Sequence, residues 1–165
     1  DLLIADEPTT ALDVTVQAQI LHLMKELQQR TGTAIILITH DMAVVAETCD
    51  RVVVMYAGRV IETCGILELF EANCHPYTRG LLGSIPSLGQ TKDQPLPTIE
   101  GIVPSLLDPP AGCRFRDRCK WAQDRCRVDD PQLHEVRKGH WVACHFPLVE
   151  ETPAYAGAPD PKEAR

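Results

Sequence analysis

The chain opens with the segment Asp1-Leu-Leu-Ile-Ala-Asp-Glu-Pro-Thr-Thr-Ala-Leu-Asp13, in which an apolar run ends in two adjacent carboxylates. A short apolar run bounded in this way predicts a fully buried strand. Pro8 has no N–H to donate, so strand pairing should stop there. Asp6 and Glu7 are therefore predicted at the carboxyl end of a buried strand, which is where open α/β sheets bind their ligands.

A second strand is expected after one intervening helix. Apolar residues recur near the helical period of 3.6 at Val16, Ile20, Leu23, Met24 and Leu27. Asp13 or Thr15 can cap the start of this helix, and Gly32 can end it in a left-handed turn. The run Ala34–Ile38 is again apolar without a break. The segment therefore predicts a right-handed β-α-β unit with parallel strands.

His40 leaves the second predicted strand at the same edge as Asp6 and Glu7, because parallel strands share a carboxyl end. Such a set suits phosphoryl transfer, in which one acid helps to hold Mg²⁺ and another positions or deprotonates the attacking water. The alternative is structural, namely two solvated acids at the end of a strand and a loop histidine with a structural hydrogen bond.

The elements predicted after His40 are helix Met42–Thr48, strands Arg51–Tyr56 and Arg59–Cys64, and helices Ile66–Ala72 and His75–Leu82. The two strands are separated by Ala57-Gly58, which predicts a hairpin. We expect this hairpin to close the edge of the parallel sheet.

The composition argues against several classes of protein. A net charge of −7 over 165 residues disfavours nucleic-acid binding, whose contact surfaces are basic. No apolar run approaches the roughly 18 residues that span a bilayer, so membrane association is expected to go through partner proteins. The seven cysteines favour metal-binding or catalytic thiols over a disulfide framework, since no secretory signal is recognisable.

Four cysteines are concentrated in a short polar region with the spacing Cys113-x5-Cys119-x6-Cys126-x17-Cys144. A region this small usually needs a metal or a disulfide to fold. Four thiolates fit a tetrahedral zinc site or an iron–sulfur cluster, and the spacing leaves the metal undecided. Three histidines could replace a cysteine as ligand, namely His134, His140 and His145. A metal site at the adjacent pair Cys74 and His75 is disfavoured, because no second ligand pair lies nearby in the sequence.

Basic residues surround the four cysteines at Arg114, Arg116, Arg118, Lys120, Arg125 and Arg127. They could offset the charge of a tetrathiolate site or form a solvated basic face, and a nucleic-acid patch is a third interpretation. Residues 85–108 are rich in proline and predict an extended connector with one or two short edge strands. The acidic, Pro/Ala-rich residues 148–165 are predicted to be disordered.

Three segments resemble motifs of ATP-binding-cassette (ABC) ATPases, in the order that the family has them. Leu2–Pro8 resembles the Walker B segment, Thr10–Asp13 resembles the D-loop, and Ile36–Asp41 resembles the H-loop. The resemblance implies that Asp6 serves Mg²⁺, that Glu7 is the general base for water and that His40 contacts the γ-phosphate of ATP. Asp13 would reach the partner cassette.

The chain departs from the family in having neither Gly-x4-Gly-Lys-Ser/Thr nor Leu-Ser-Gly-Gly. The family carries both motifs on the amino-terminal side of Walker B, so we expect a carboxy-terminal fragment. Because the loop and lysine that cradle phosphate are missing, these 165 residues alone are predicted neither to bind ATP tightly nor to hydrolyse it.

Two further segments narrow the resemblance to the dipeptide and oligopeptide importer branch. They are Met55–Glu62 and His75–Leu82. The pattern from Pro110 to Cys119, with Cys126 and Cys144, also resembles the tail of these ATPases, where four cysteines are associated with a 4Fe–4S cluster. The implied partners are a second ATPase subunit and transmembrane permease subunits, with the protein peripheral on the cytoplasmic face of the cell membrane.

The resemblance implies an α/β fold in which a partial parallel sheet of the P-loop type, with flanking helices, is followed by a small irregular cysteine-rich module. Residues 1–84 would be the carboxy-terminal part of the ATPase domain, 85–108 the connector, 109–147 the cysteine module and 148–165 the tail. Two rival functions remain, namely a soluble ABC ATPase of translation or DNA repair and a metal-binding interaction module. The sequence does not distinguish dipeptide, longer peptide or nickel complex as cargo.

Overall fold

The structure, a computed structural model, describes residues 1–85 and 97–149 and divides into two compact units. Unit 1 is Asp1–Val52 and unit 2 begins at Val53. The predictions for residues 86–96 of the connector and for residues 150–165 of the tail lie outside the described residues. The fold is α/β, with one parallel and one antiparallel sheet, as the sequence predicted at this level.

Unit 1 is the predicted β-α-β unit. Strands β1 (Leu2–Asp6) and β2 (Ala34–Ile38) pair in parallel, and helix α1 (Val14–Thr31) connects them. The Asp13 carboxylate caps α1 by accepting hydrogen bonds from the N–H groups of Thr15 and Val16, each at 3.0 Å. Helix α2 (Met42–Thr48) completes the unit.

Few side chains of unit 1 are buried. The buried residues of this unit are Thr9, Leu21, Val44 and Val45. Burial alternates along both strands, and the more exposed face carries the apolar side chains of Leu2, Ile4, Ile36 and Ile38. The prediction of strands buried on both faces is therefore wrong for this structure, although the strands themselves are confirmed.

Unit 2 contains a four-stranded sheet in the order β3-β4-β6-β5. Its elements are β3 (Arg51–Tyr56), β4 (Arg59–Gly65), α3 (Ile66–Ala72), α4 (Pro76–Gly83), α5 (Arg125–Val128), β5 (His134–Arg137) and β6 (His140–Val142). A 3-10 turn lies at Arg116–Arg118. The predicted positions of the hairpin and of helices α3 and α4 are confirmed.

The pairing of β6 with β4 differs from the expectation in two ways. Glu62 pairs with Val142 and Thr63 with Trp141 in antiparallel register. The hairpin therefore belongs to a sheet with β5 and β6 rather than to the parallel sheet. The cysteine-rich segment was expected as a separate module, but its strands β5 and β6 belong to this sheet. The hairpin with β3 uses only one edge of β4, and β6 pairs with the other edge.

The core of unit 2 combines aliphatic and aromatic side chains. Tyr56, Tyr77 and Phe115 form a three-ring cluster with centroid separations of 4.8, 5.2 and 5.6 Å. Leu69 and Val142 are fully buried. No helix within the described residues is long and apolar enough to cross a membrane.

The described part of the connector, residues 97–108, contains neither helix nor strand, so the expected edge strands are not found there. The side chain of Arg118 joins the beginning of this described part of the connector to Tyr56 in the core of unit 2. The guanidinium donates to the carbonyls of Ile99 and Glu100 at 2.8 and 3.0 Å and to the Tyr56 hydroxyl at 3.3 Å.

Candidate functional site

Glu7 and His40 meet at the edge of unit 1 where both parallel strands end. The Nδ1 of His40 donates to the Oε1 of Glu7 at 3.1 Å, and the Thr10 hydroxyl donates to Oε2 at 2.9 Å. The predicted proximity of the acid and the imidazole is confirmed. The hydrogen bond from Thr10 lowers the pKa of Glu7, and the hydrogen bond and charge of His40 act in the same direction.

The backbone of Glu7 is in the left-handed region, with φ 45°. Its N–H still donates to the Ile38 carbonyl at 2.8 Å, which extends the β1–β2 ladder by one residue. A non-glycine residue in this conformation costs about 1–2 kcal/mol. Such strain is common at functional sites, and here the turn it creates lies where the Glu7 side chain contacts His40.

Asp6 and Asp13 occupy different positions around this pair. Asp6 is the last residue of β1, pairs with Ile38 in register and is exposed. Its carboxylate oxygens are of the hard type that Mg²⁺ prefers. Asp13 caps α1 through Oδ1, so this side chain has a structural role within unit 1 whatever else it contacts.

Four of the cysteines in unit 2 line one small cavity, together with the aromatic rings of Phe115, Trp121 and Phe146; they are Cys113, Cys119, Cys126 and Cys144. Burial raises the pKa of the Cys144 thiol to about 12, and the neighbouring thiols of Cys113, Cys119 and Cys126 act in the same direction. Burial is also the main cause of the raised pKa values of Cys113 and Cys119. The sequence predicted that these four residues belong together, and the structure places them around the same space.

Short backbone contacts bring distant cysteines together. Cys113 donates its N–H to the carbonyl of Cys126 at 2.9 Å. Gly112 makes this approach possible, because its φ is 71° and a Cβ there would lie 2.6 Å from the Cys126 carbonyl oxygen. Cys119 donates its N–H to the Arg116 carbonyl at 3.2 Å, which closes the 3-10 turn.

Three arginines between the cysteines bind backbone carbonyls. Arg114 donates to Ala57 at 2.5 Å, Arg116 donates to Ala111 and Arg127, and Arg118 holds the connector. These hydrogen bonds attach the cysteine segment to neighbouring backbone, so the three arginines do not form a purely solvated basic face. The nucleic-acid interpretation gains no support from these contacts.

The three histidines considered as substitute ligands each have a ring nitrogen engaged elsewhere. His134 and His145 contact the carbonyls of Gln132 and Asp129 at 3.3 and 2.9 Å. His140 is almost fully buried and donates through Nε2 to Glu62 at 2.7 Å. Of these three, only His145 lines the cavity of the four cysteines.

A buried cluster around Glu62 was missed by the sequence analysis. The Glu62 carboxylate accepts hydrogen bonds from His140 and from the backbone N–H groups of Cys74 and His75, the latter two at 2.6 and 3.1 Å. Glu62, Cys74 and His140 also have ligand atoms within 4.8 Å of one another. The sequence signal that could have revealed this cluster is the position of Glu62, two residues before Cys64 and therefore on the same face of β4. Both carboxylate oxygens of Glu62 accept hydrogen bonds from N–H groups. In this structure the cluster is therefore held together by hydrogen bonds to Glu62.

Comparison with known proteins supports the resemblance. Residues 61–126 match the family described as "Oligopeptide/dipeptide transporter, C-terminal region". A probable peptide ABC transporter ATP-binding protein of Sinorhizobium fredii is 54% identical over 144 residues, which cover 87% of this chain and 43% of the relative.

The dipeptide transport ATP-binding proteins DppD of Escherichia coli and Haemophilus influenzae are 50% and 48% identical, over 89% and 91% of this chain and 45% of each relative. The chain therefore spans less than half the length of these curated relatives. Over most of its own length it is similar to the ATP-binding proteins of peptide ABC transporters, which confirms the resemblance that the motifs predicted.

Proposed function

We propose that this chain forms part of the ATP-hydrolysing subunit of a peptide ABC importer, with Glu7 as the general base. The observation that carries the proposal is the 3.1 Å contact between Glu7 and His40 at the shared edge of β1 and β2. The similarity to peptide and dipeptide transport ATP-binding proteins supports the same function. The partners would be a second ATPase subunit, reached by Asp13, and permease subunits at the cytoplasmic face of the membrane.

Each side chain of this edge has a separate task in the proposed reaction. Glu7 accepts the proton of the attacking water, and the hydrogen bonds from Thr10 and His40 hold its carboxylate in position and ionised. His40 uses Nδ1 for Glu7, which leaves Nε2 for a γ-phosphate oxygen. Donation from Nε2 as well requires the ring to carry a proton on both nitrogens. Asp6 would hold Mg²⁺, which supplies charge neutralisation for phosphoryl transfer.

The test is ATP hydrolysis by the full-length protein carrying Glu7→Gln. The substitution keeps the shape of the side chain and removes the base, so we expect turnover to fall about 10²- to 10⁴-fold while nucleotide binding is retained. The matched control is Glu26→Gln. Glu26 also lies beside a histidine, His22, at 3.7 Å on the surface of α1, and we expect wild-type turnover in that variant.

Unimpaired turnover in Glu7→Gln would overturn the assignment of the base. Equal losses in Glu7→Gln and Glu26→Gln would point to a general effect on unit 1 and would also count against it. Co-purification with permease subunits separates the importer from a soluble ABC ATPase.

We further propose that Cys113, Cys119, Cys126 and Cys144 hold a 4Fe–4S cluster, with zinc as the alternative. All four line one cavity, and the thiols interact with one another electrostatically. A tetrahedral zinc site and a cluster in which each thiolate binds a different iron both use four thiolates, and the resemblance to the tail of the peptide-importer ATPases favours the cluster.

A bound cluster would supply a rigid cross-link between distant segments and a redox-active centre. The residues of the chain fit such a group, because four cysteines converge on one cavity that three aromatic rings also line, and each of the four is buried or partly buried. We assign the site a structural or sensing role.

The test is anaerobic purification followed by absorption spectroscopy and analysis of iron, sulfide and zinc. We expect a brown protein with about four irons and four sulfides per chain, and loss of both in Cys119→Ser. Cys49→Ser is the control, because Cys49 lies at the end of α2 in unit 1. A colourless protein that carries only zinc would overturn the cluster assignment.

A further inference from the structure

A cysteine, a histidine and a glutamate converge in the interior of unit 2, apart from the cavity of the four cysteines. The sulfur of Cys74, a ring nitrogen of His140 and a carboxylate oxygen of Glu62 all lie within 4.8 Å of one another. The three residues are 0%, 1% and 0% exposed, and none of them lines the four-cysteine cavity. They therefore form a second set of side chains that can bind a metal ion.

The three side chains come from separate segments of the chain. Glu62 lies in β4, His140 begins β6, and Cys74 lies between α3 and α4. Glu62 is 12 residues away from Cys74 and 78 residues away from His140. A rule that looks for closely spaced ligands in the sequence cannot find such a set. An ion bound there would cross-link three segments of unit 2.

The hydrogen bonds of this cluster leave one polar atom of His140 without a partner. Nε2 contacts the Oε1 of Glu62 at 2.7 Å, whereas Nδ1 is buried and has no hydrogen-bond partner among the described residues. Nearly all buried polar atoms of native proteins are paired, and an exception calls for another explanation, such as a bound ion. Histidines that bind metal typically use one ring nitrogen for the ion and the other for a group such as a carboxylate. The unpartnered nitrogen is therefore an indication of a ligand that is independent of the distances.

The chemistry of the three groups selects the class of ion. Thiolate and imidazole favour zinc and related transition metals, whereas magnesium and calcium take oxygen ligands. A thiolate at Cys74 and the carboxylate of Glu62 carry two negative charges, which a divalent ion would neutralise. Zinc bonds of about 2.0–2.3 Å place ligand atoms about 3.3–3.6 Å apart, so the three side chains would need to approach one another by about 1 Å. The backbone N–H groups of Cys74 and His75 that donate to Glu62 would orient its carboxylate.

We propose that Cys74, His140 and Glu62 bind a divalent ion of the zinc class at a structural site inside unit 2. The ion displaces the thiol proton of Cys74, which passes to solvent, because the thiolate is the form that binds metal. Because all three residues are buried, the ion is taken up as unit 2 folds. The inference depends neither on the cofactor of the four cysteines nor on ATP hydrolysis.

The test compares the zinc content of full-length wild type, Cys74→Ala and Cys64→Ala after expression in medium supplemented with zinc. Cys64 is the matched control, because it is also 0% exposed and lies in β4 but does not belong to the group of three ligands. We expect Cys74→Ala to carry one zinc ion per chain fewer than wild type, and Cys64→Ala to carry as much as wild type. Iron and sulfide, measured in the same samples, should be equal in all three proteins.

Equal zinc contents in wild type and Cys74→Ala would overturn the inference. So would an equal loss of zinc in both alanine variants, since it would follow the packing of unit 2 rather than a ligand. A loss of iron together with zinc in Cys74→Ala would overturn it for the same reason. The difference is taken between proteins that share the four cysteines, so it does not depend on what those cysteines bind.

Crystals of the wild-type protein prepared with zinc test the site even if the variants fail to fold. Anomalous diffraction on both sides of the zinc absorption edge should show an ion about 2.3 Å from the Sγ of Cys74 and about 2.0–2.1 Å from a ring nitrogen of His140. The signal of iron changes little across this edge, so a cluster at the four cysteines is told apart from zinc. Absence of zinc at Cys74 would overturn the inference, whether or not the four cysteines hold a metal.

Discussion

The two units each contain a glutamate–histidine pair, and the pairs differ in their surroundings. In unit 1, His40 and Glu7 are 3.1 Å apart, with side chains 79% and 46% exposed. In unit 2, His140 and Glu62 are 2.7 Å apart, with side chains 1% and 0% exposed. The same residue types thus form a solvent-exposed pair in unit 1 and a buried pair in unit 2.

The difference separates a pair that a ligand can reach from a pair that stabilises the interior of unit 2. An exposed ion pair contributes about 0–1 kcal/mol, so Glu7 and His40 remain available to a ligand. A buried pair cannot lose one member without leaving charges and N–H groups unpaired in the interior. Glu62 therefore holds β4, β6 and the segment before α4 together, whereas Glu7 is predicted to act on water.

The largest predicted effect is that of Glu62→Ala on the stability of unit 2. The substitution leaves His140 and the N–H groups of Cys74 and His75 without their shared acceptor. We expect a loss of about 3–5 kcal/mol in the free energy of unfolding. Urea unfolding followed by fluorescence measures it, since Trp121 and Trp141 both lie in unit 2.

The matched substitution in unit 1 is Glu7→Ala. It should leave the stability of unit 1 nearly unchanged, because both side chains of the pair are exposed to solvent. Hydrogen exchange in β1 and β2 measures this. If both alanine variants cost the same, the contrast between the two pairs would be wrong.

A smaller effect is expected at Leu69, which tests whether unit 2 has its own core. Leu69 is fully buried, whereas Leu67 in the same helix is 69% exposed. Leu69→Ala should lower the free energy of unfolding by about 3 kcal/mol, and Leu67→Ala by less than about 0.5 kcal/mol. Tryptophan fluorescence in urea compares the two variants. Similar losses would show that α3 does not bury the face seen here.

The cap of α1 provides a test within unit 1. Asp13→Ala removes the acceptor for two backbone N–H groups, so we expect a loss of about 1 kcal/mol. Hydrogen exchange at the amide groups of the first turn measures the change. Asp50→Ala is the control, because Asp50 is exposed and lies outside the helices. No change at Asp13 would argue that this carboxylate is held for another purpose.

The last prediction concerns the pKa of Glu7. Its hydrogen bonds to Thr10 and His40 lower this pKa, so carbon NMR of the carboxyl should show titration below the ordinary range of a glutamate. Thr10→Ala should raise the value toward that range, and His40→Ala should also raise it, because each of these side chains lowers the pKa of Glu7. If neither variant changes the pKa of Glu7, the hydrogen bonds from Thr10 and His40 to its carboxylate would be contradicted.

Unit 1 was largely predictable because its signals are local. The cap at Asp13, the glycine end at Gly32 and the two apolar runs each specify an element. The meeting of Glu7 with His40 then follows from the shared direction of parallel strands.

The sheet of unit 2 was not predictable in the same way. It depends on β6 pairing with β4, and His140 is 78 residues away from Glu62 in the chain. No local pattern specifies a partner at that separation, so the hairpin was assigned to the wrong sheet. The set of four cysteines was identified from residue type alone, whereas the buried cluster of Glu62, Cys74 and His140 needed the structure.

The most direct test of the central claim is a double-mutant cycle on ATP hydrolysis by the full-length protein, with Glu7→Gln, His40→Ala and both together. Because Nδ1 and Oε1 are in contact, the two residues should act as one unit, and the double variant should hydrolyse ATP no more slowly than the slower single variant. Losses that multiply in the double variant would show that the acid and the imidazole act independently, and would contradict the account.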